Sequence, residues 1–383
     1  MKRTIIHTTL VLRDHFLEDA YLTMENGVIT DFGPLTEDVD LNGHEILDAE
    51  GLYTGPGLVD IHIHAAGGHW FYEDTAAACK ASLQHGTTTV LPTLYFSMTR
   101  EQLVSGFLKI REAMKTPEGA VIGGFYTEAP YLNPKYGADR NNVPWGGPIR
   151  REEYMPVLLA AGSAACVWVV APEREGILDF ILDAKKVQPS VRFAVGHSEA
   201  KPQEIEPLIP YGLCIGTHHT NASGHLTKYG GCRSVAVDEV VQYIDDIYAE
   251  IISDSLGIHV DPYLQRLIRK IKGDDRIILI SDACVFDGAV PESGLYKGVE
   301  DLCFDDAGDI AGSKLYLIQA CRNFMKHTGA TILEVFKHAA MNPAEATGLT
   351  DRGEIRPGAK ADLILVDKEM NLSHVILNGE LRQ

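Results

Sequence analysis

Eight short apolar runs, separated by stretches with a helical period, constrain the fold of this chain more than any other feature. The intervening stretches include residues 76–84, 100–114, 151–161, 177–186 and 262–271. In several of them apolar residues recur every three to four positions, as in amphipathic helices. A doubly wound sheet would also alternate, but no Gly-x-Gly-x-x-Gly turn follows the first run. The pattern predicts an α/β fold, a (β/α)8 TIM-like barrel. Its strands are expected at residues 58–63, 88–94, 121–126, 165–170, 191–195, 213–216, 248–252 and 276–280.

Both ends of the chain instead have the sequence pattern of short β-strands joined by turns. An Asn-Gly pair, a strong hairpin signal, stands at residues 26–27 between two such runs, and another stands at 378–379. Neither end is long enough to bury a core alone. We therefore expect residues 1–54 and 355–383 to pair into one small β-sandwich domain, with residues 55–354 forming the barrel.

The charge and cysteine content narrow the classes of function. The formal net charge is −19, so we expect neither a nucleic-acid partner nor an anionic membrane surface. The seven cysteines are scattered without a Cys-x-x-Cys pair, which favours reduced thiols. No signal-peptide core begins the chain, and no apolar run approaches the roughly 20 residues that span a bilayer. The expectation is a cytoplasmic enzyme.

Imidazole and carboxylate side chains follow the predicted strands where these end. Since the carboxyl ends of barrel strands meet at one mouth, these side chains should converge there. Histidine and carboxylate ligands from separate strands suit a divalent ion such as zinc or iron, with a position left for water. The predicted metal ligands are His62 and His64, which share one strand face, with Glu128, His197 and His218.

Asp282, after the eighth run, is the predicted catalytic base. A divalent ion lowers the pKa of water toward neutrality, and a carboxylate beside it can take the proton and return it to a leaving amine. A helix cap or a further metal ligand are the alternative roles of Asp282. Asp254 and Asp60 are weaker candidates, and Asp60 is expected one layer below the histidines on the same strand face.

These residues resemble the amidohydrolase superfamily, and within it the N-acetylglucosamine-6-phosphate deacetylase family, over nearly the whole chain. Residues 56–64 (PGLVDIHIH) are similar to the superfamily's first-strand motif, and residues 127–134 (TEAPYLNP) to the deacetylase segment that carries a metal-ligating glutamate. The other similar segments are residues 196–198 (GHS), 217–222 (THHTNA), 251–261 (IISDSLGIHVD), 281–283 (SDA) and 310–313 (IAGS).

The resemblance implies metal-dependent removal of an acetyl group from N-acetylglucosamine 6-phosphate or a related amino sugar. It implies substrate contacts for Asn221, Ala222 and His259, and a homodimer. The fourth run has no lysine that could be carboxylated to bridge two metals, and Glu128 can take that place. Two ions are expected if both His62 and His64 bind, and one if only Glu128, His197 and His218 do.

Several departures from the family keep other substrates open. Asp139 stands where the family has a histidine near the acyl group, and the arginine expected near the sugar phosphate is missing. His225 and Lys228 are possible substrate or phosphate contacts, and Lys228 or Arg233 could bind a phosphate or be solvated loop charges. The loop at residues 69–72 (HWFY) could stack on a sugar or close the mouth. The rival functions are an amidohydrolase of another N-acyl compound or a cyclic amide, and a non-catalytic sugar-binding barrel.

Overall fold

The computed structural model describes residues 2–138, 140–224, 232, 234–290, 294–296 and 299–383. Its strands are β1 (Lys2–Val11), β2 (Phe16–Glu25), β3 (Val28–Pro34), β4 (Glu45–Asp48), β5 (Tyr53–Pro56), β6 (Leu58–Ile63), β7 (Ala65–Ala66), β8 (His69–Trp70), β9 (Thr87–Tyr95), β10 (Phe125–Glu128), β11 (Ala165–Val170), β12 (Arg192–Val195), β13 (Leu213–Gly216), β14 (Tyr248–Ile252), β15 (Ile277–Ile280), β16 (Leu302–Phe304), β17 (Ile310–Ser313), β18 (Leu363–Val366), β19 (Leu372–Leu377) and β20 (Glu380–Leu381). Its α-helices are α1 (Thr75–Gln84), α2 (Arg100–Ala113), α3 (Arg151–Ala161), α4 (Ile177–Val187), α5 (Pro202–Ile205), α6 (Val237–Tyr243), α7 (Pro262–Lys272), α8 (Leu317–Thr328), α9 (Ile332–Phe336) and α10 (Asn342–Thr347).

Eight parallel strands form a nearly closed barrel in the order β6-β9-β10-β11-β12-β13-β14-β15. The first and eighth strands meet just beyond the regular ladder. There the backbone N–H of Asp282 donates to the carbonyl of His62 at 3.0 Å, and the Asp60 carboxylate accepts from the N–H of Ser281 at 3.3 Å. The predicted (β/α)8 barrel is therefore confirmed, and these polar contacts close it directly below the mouth.

The strand predictions fail in one place. β6, β11, β13 and β14 have the predicted bounds, but the third strand begins at Phe125 instead of residue 121. Val121 ends a 3-10 turn, and the chain then passes through Gly124 with φ +153°. A Cβ on Gly124 would lie 2.7 Å from the Ala164 carbonyl, so this close approach delays the start of the strand.

The strands of both termini form a second sheet, in the order β20-β19-β18-β5-β1-β2-β3, with β4 also paired to β1. Both Asn-Gly pairs sit in hairpins at positive φ, between β2 and β3 and between β19 and β20. Strands from the two ends of this order share one core, as the layers of a sandwich do. Side chains of β18 alternate, so Leu363 and Leu365 enter that core while Ile364 and Val366 pack toward the barrel.

An aromatic cluster under α4 anchors the helical layer to the barrel. The Phe180 ring packs edge-on against Tyr131, Tyr154 and Trp168 at centroid distances of 5.7, 5.3 and 5.7 Å. We expect Phe180→Ala to lower the free energy of unfolding by about 3–5 kcal/mol, because it leaves a cavity. Denaturant unfolding followed by circular dichroism measures this. Leu178→Ala, on the same helix at 41% exposure, should change it little, and equal losses would contradict the assignment.

No helix in the described part of the chain combines the length and the apolar character that a membrane crossing requires.

Candidate metal centre

Six buried side chains at the barrel mouth form two groups of possible metal ligands. One group holds His62, His64 and Asp282, and the other holds Glu128, His197 and His218. Each comes from the end of a strand or the residues just after it, as the sequence predicts. In the second group the Nε2 atoms of His197 and His218 lie 2.9 Å apart, and each is 2.9 Å from Glu128 Oε1.

Glu128 belongs to both groups by contact. Its Oε1 faces His197 and His218, while its Oε2 lies 3.5 Å from His62 Nε2 and 3.4 Å from His64 Nε2. One carboxylate thus places an oxygen in each group. This is the arrangement expected of a carboxylate that bridges two cations.

Three of these ligands stand where the backbone turns sharply out of a strand. The backbone φ angles of His197, His218 and Asp282 are +45°, +28° and +48°. Residues other than glycine seldom adopt this region. Such strain persists only where surrounding contacts enforce it, and it is common at functional sites. The N–H of Asp282 donates to His62, and the carbonyl of Asp282 accepts from Ser313 at 2.9 Å.

Glu250, inside the barrel, contacts a member of each group of possible ligands. It is fully buried on β14, and its Oε2 lies 3.1 Å from His62 Nδ1. The same oxygen accepts hydrogen bonds from the Thr217 hydroxyl and from the backbone N–H of His218, both at 3.0 Å. A carboxylate behind a ligating histidine fixes the tautomer, so that Nε2 of His62 presents its lone pair to the mouth. Glu250 is not among the predicted site residues, although an acidic residue inside the apolar run YAEII is a visible signal.

Glu250→Gln should weaken metal retention by the His62 group about 10- to 100-fold, because an amide cannot supply the same charge to three donors. Metal retained after dialysis against graded chelator, measured by elemental analysis, reports this. Asp183→Asn is the matched control: Asp183 is also a buried carboxylate, but it binds Arg151 and Tyr154 outside the barrel. If both variants keep metal as the unchanged protein does, Glu250 has no part in holding it.

The charges of the centre favour a cation. Burial opposes protonation of His64, but Asp282 and Glu128 outweigh it and raise its pKa to about 9. Burial raises the pKa of Glu128, but the histidines outweigh burial and hold that pKa well below its usual range. His62 Nε2 is buried without a hydrogen-bond partner among the described residues. Carboxylate and imidazole donors converging in this way fit a divalent metal ion.

A cavity of about 390 Å³ opens above these ligands. Asn221, Ala222 and His259 line it, as the resemblance implies for substrate contacts. Asn221 Nδ2 and His259 Nε2 are buried with no partner among the described residues. The Asp254 carboxylate lies 3.1 Å from His259 Nδ1, and this contact orients the ring so that Nε2 is available to a ligand.

The remaining candidates take other places. Asp60 lies one layer below the ligands and accepts from the N–H of His62 at 3.4 Å. Burial raises the pKa of Asp60 to about 7. His219, next to a ligand, is in neither metal group and lies 3.3 Å from the Gln242 amide. Several predicted positions lie outside the described residues, namely Asp139, His225, Lys228 and Arg233.

The chain is similar in sequence and in structure to known proteins. Residues 237–382 match the family described as Amidohydrolase family. The chain is 24% identical to N-acetylglucosamine-6-phosphate deacetylase of Haemophilus influenzae, with 100% of both chains covered. It is 26% identical to N-acetylgalactosamine-6-phosphate deacetylase of Escherichia coli O157:H7, with 97% of each covered. The crystal structure of N-acetylglucosamine-6-phosphate deacetylase from Pasteurella multocida superposes with a TM-score of 0.86 at 25% identity, over 100% of both chains.

Proposed function

Because this chain belongs to the N-acetylglucosamine-6-phosphate deacetylase family of the amidohydrolase superfamily, we propose that it removes the acetyl group from N-acetylglucosamine 6-phosphate. The products are glucosamine 6-phosphate and acetate. One observation carries the proposal: two groups of ligands share Glu128 and include Asp282 at the floor of the cavity. This arrangement suits hydrolysis of a carbon-nitrogen bond.

A divalent ion held by Glu128, His197 and His218, with a second held by His62, His64 and Asp282, would polarise the amide carbonyl and lower the pKa of water. Asp282 supplies the acid-base chemistry. Burial raises its pKa, but His62 and His64 outweigh burial and keep the pKa below its usual value. The carboxylate is therefore ionised at neutral pH, ready to take a proton from the attacking water and return it to the amine nitrogen. Asn221, Ala222 and His259 hold the sugar.

The finer features of the proposal are zinc as the metal, a homodimer and a cytoplasmic location. Nitrogen and oxygen donors in this number suit zinc. All seven cysteines are free thiols, as is usual in a reducing compartment. Family resemblance supports the dimer, and His225 and Lys228 remain candidates for phosphate contacts. Elemental analysis and analytical ultracentrifugation test the metal and the dimer.

The test is amine release by the metal-quantified protein from three sugars side by side. These are N-acetylglucosamine 6-phosphate, its unphosphorylated form, and N-acetylgalactosamine 6-phosphate. The proposal expects the first to have the highest kcat/KM. Preference for the unphosphorylated sugar would correct the substrate. One observation favours that outcome: among the described residues that line the cavity there is no lysine or arginine to bind a phosphate. Metal-loaded protein that releases amine from none of the three would overturn the proposal.

A further inference from the structure

Three aromatic side chains form one side of the cavity, and they have no part in the chemistry described above. We call Trp70, Tyr95 and Phe286 the aromatic wall. Trp70 stacks on Tyr95 with ring centroids 5.5 Å apart and an interplanar angle of 16°. Phe286 meets both edge-on, at 5.3 and 6.2 Å. Each ring is partly exposed and lines the cavity. An apolar surface therefore forms one side of the cavity.

The wall directly adjoins the metal ligands. The His64 ring is edge-on to Trp70 and Tyr95, with centroids 6.4 and 6.0 Å apart. Trp70 is held firmly, because β8 pairs with β7 and the Trp70 carbonyl accepts hydrogen bonds from the N–H groups of Glu73 and Asp74 at 3.0 and 2.9 Å. A group attached to a carbonyl beside His64 would touch these rings.

Strand order places the Tyr95 part of the wall across the mouth from Asn221, while Phe286 lies on the side nearer His259. Trp70 follows the first barrel strand, Tyr95 ends the second, and Phe286 follows the eighth. Asn221 follows the sixth strand, and His259 follows the seventh. In a barrel of eight, the second and sixth strands face each other across the mouth, with the ligands between them.

A secondary amide is trans, so its two carbon substituents extend in opposite directions. With the carbonyl at the ligands and the sugar toward Asn221 and His259, the acyl group extends toward the wall. Stacked and edge-on rings offer an acetyl methyl far more contact surface than it can use, whereas an aromatic or branched apolar group would cover them. We infer that this site accepts N-acyl amino sugars whose acyl group is aromatic or bulky and apolar, with the wall as its acyl subsite. The inference rests on the proposed function for the position of the amide.

The experiment compares N-acetyl, N-butanoyl and N-phenylacetyl forms of the amino sugar that the assay above identifies, using the full metal-loaded chain. We expect kcat/KM for the phenylacetyl form to exceed that for the acetyl form about 10- to 100-fold, as the burial of a phenyl group predicts. Trp70→Ala should reduce that ratio at least about tenfold. Tyr263→Ala removes an aromatic ring that is 72% exposed on α7, and should leave the ratio unchanged.

The outcomes separate this inference from the proposed function. If the acetyl sugar is hydrolysed and the phenylacetyl sugar is not preferred, or if Trp70→Ala keeps the ratio, the acyl subsite is wrong and deacetylation stands. If no amino sugar is hydrolysed, the proposed function fails, and calorimetric titration with phenylacetate and acetate decides the subsite. Tighter binding of phenylacetate that Trp70→Ala abolishes supports the wall as a subsite, and equal affinities overturn it.

Discussion

Replacing Asp282 with asparagine is expected to lower kcat about 100- to 10,000-fold, the usual contribution of a positioned acid-base group. Asparagine has nearly the same shape and tolerates the left-handed backbone at this position, where φ is +48°. The Asp282 hydrogen bonds with the His62 carbonyl and the Ser313 N–H use only backbone atoms, so they survive. The variant therefore removes the proton acceptor while the floor of the cavity keeps its form. Steady-state kinetics on the hydrolysed amino sugar measures the loss.

Metal content shows whether the loss is chemical. Glu128, His197 and His218 are untouched in this variant, so their ion should stay, while the group that includes Asp282 should bind more weakly. Asp362→Asn is a suitable control, because Asp362 is a buried carboxylate beside β18 that accepts from the Asn378 N–H at 2.7 Å. Its kcat should match that of the unchanged protein. Asp282→Asn with normal kcat would remove Asp282 from the proton transfer.

The Glu128→Gln variant is expected to lose metal from both groups and hydrolysis with it. Glu128 has an oxygen against each pair of histidines, and an amide can direct only one oxygen to one pair. Its NH2 group must face the other pair, without the charge that balances a cation. Elemental analysis after gel filtration should show metal content at least about tenfold lower in total, with little amine release.

Two further variants show how much metal each group of ligands holds by itself, for comparison with Glu128→Gln. His64→Asn changes only the first group, and His197→Asn only the second. If Glu128 serves both, each histidine variant loses about one equivalent of metal, while Glu128→Gln loses the sum of the two losses. A Glu128→Gln protein that retains as much metal as His64→Asn would show that Glu128 serves one group alone. Circular dichroism of each variant confirms that the barrel remains folded.

Much of the architecture could be predicted because it follows from local rules. Apolar runs of four to seven residues alternating with amphipathic helices permit few folds, and the two Asn-Gly pairs lie in the expected hairpins at positive φ. The third barrel strand could not be placed correctly. Its start depends on how closely Gly124 approaches the carbonyl of Ala164, which lies in the turn just before β11. The apolar periodicity of one segment carries no information about such contacts with distant segments.

The site likewise has residues that the sequence predicts and residues that it does not. The positions of His62, His64, Glu128 and His197 at strand ends follow from the barrel, because strand ends converge. Glu250 was not predicted for a different reason: it lies within its strand, and its role depends on which side of the strand faces the ligands. The aromatic wall combines rings from three separate segments, namely β8, the end of β9 and the loop after β15. Neither strand phase nor motif spacing indicates that these segments bring their rings together.

The sheet that joins the two chain ends also sets the order in which this protein can mature. A ribosome delivers β1 to β5 first and β18 to β20 last, yet β18 is a direct neighbour of β5. During synthesis the β5 edge stays unpaired, and the apolar surface that Ile364 and Val366 will cover stays open to solvent. Unpaired edges and open apolar surfaces invite association with other chains. A polypeptide that stops before Leu363 would therefore carry its full set of metal ligands and still present a surface that chaperones and proteases recognise.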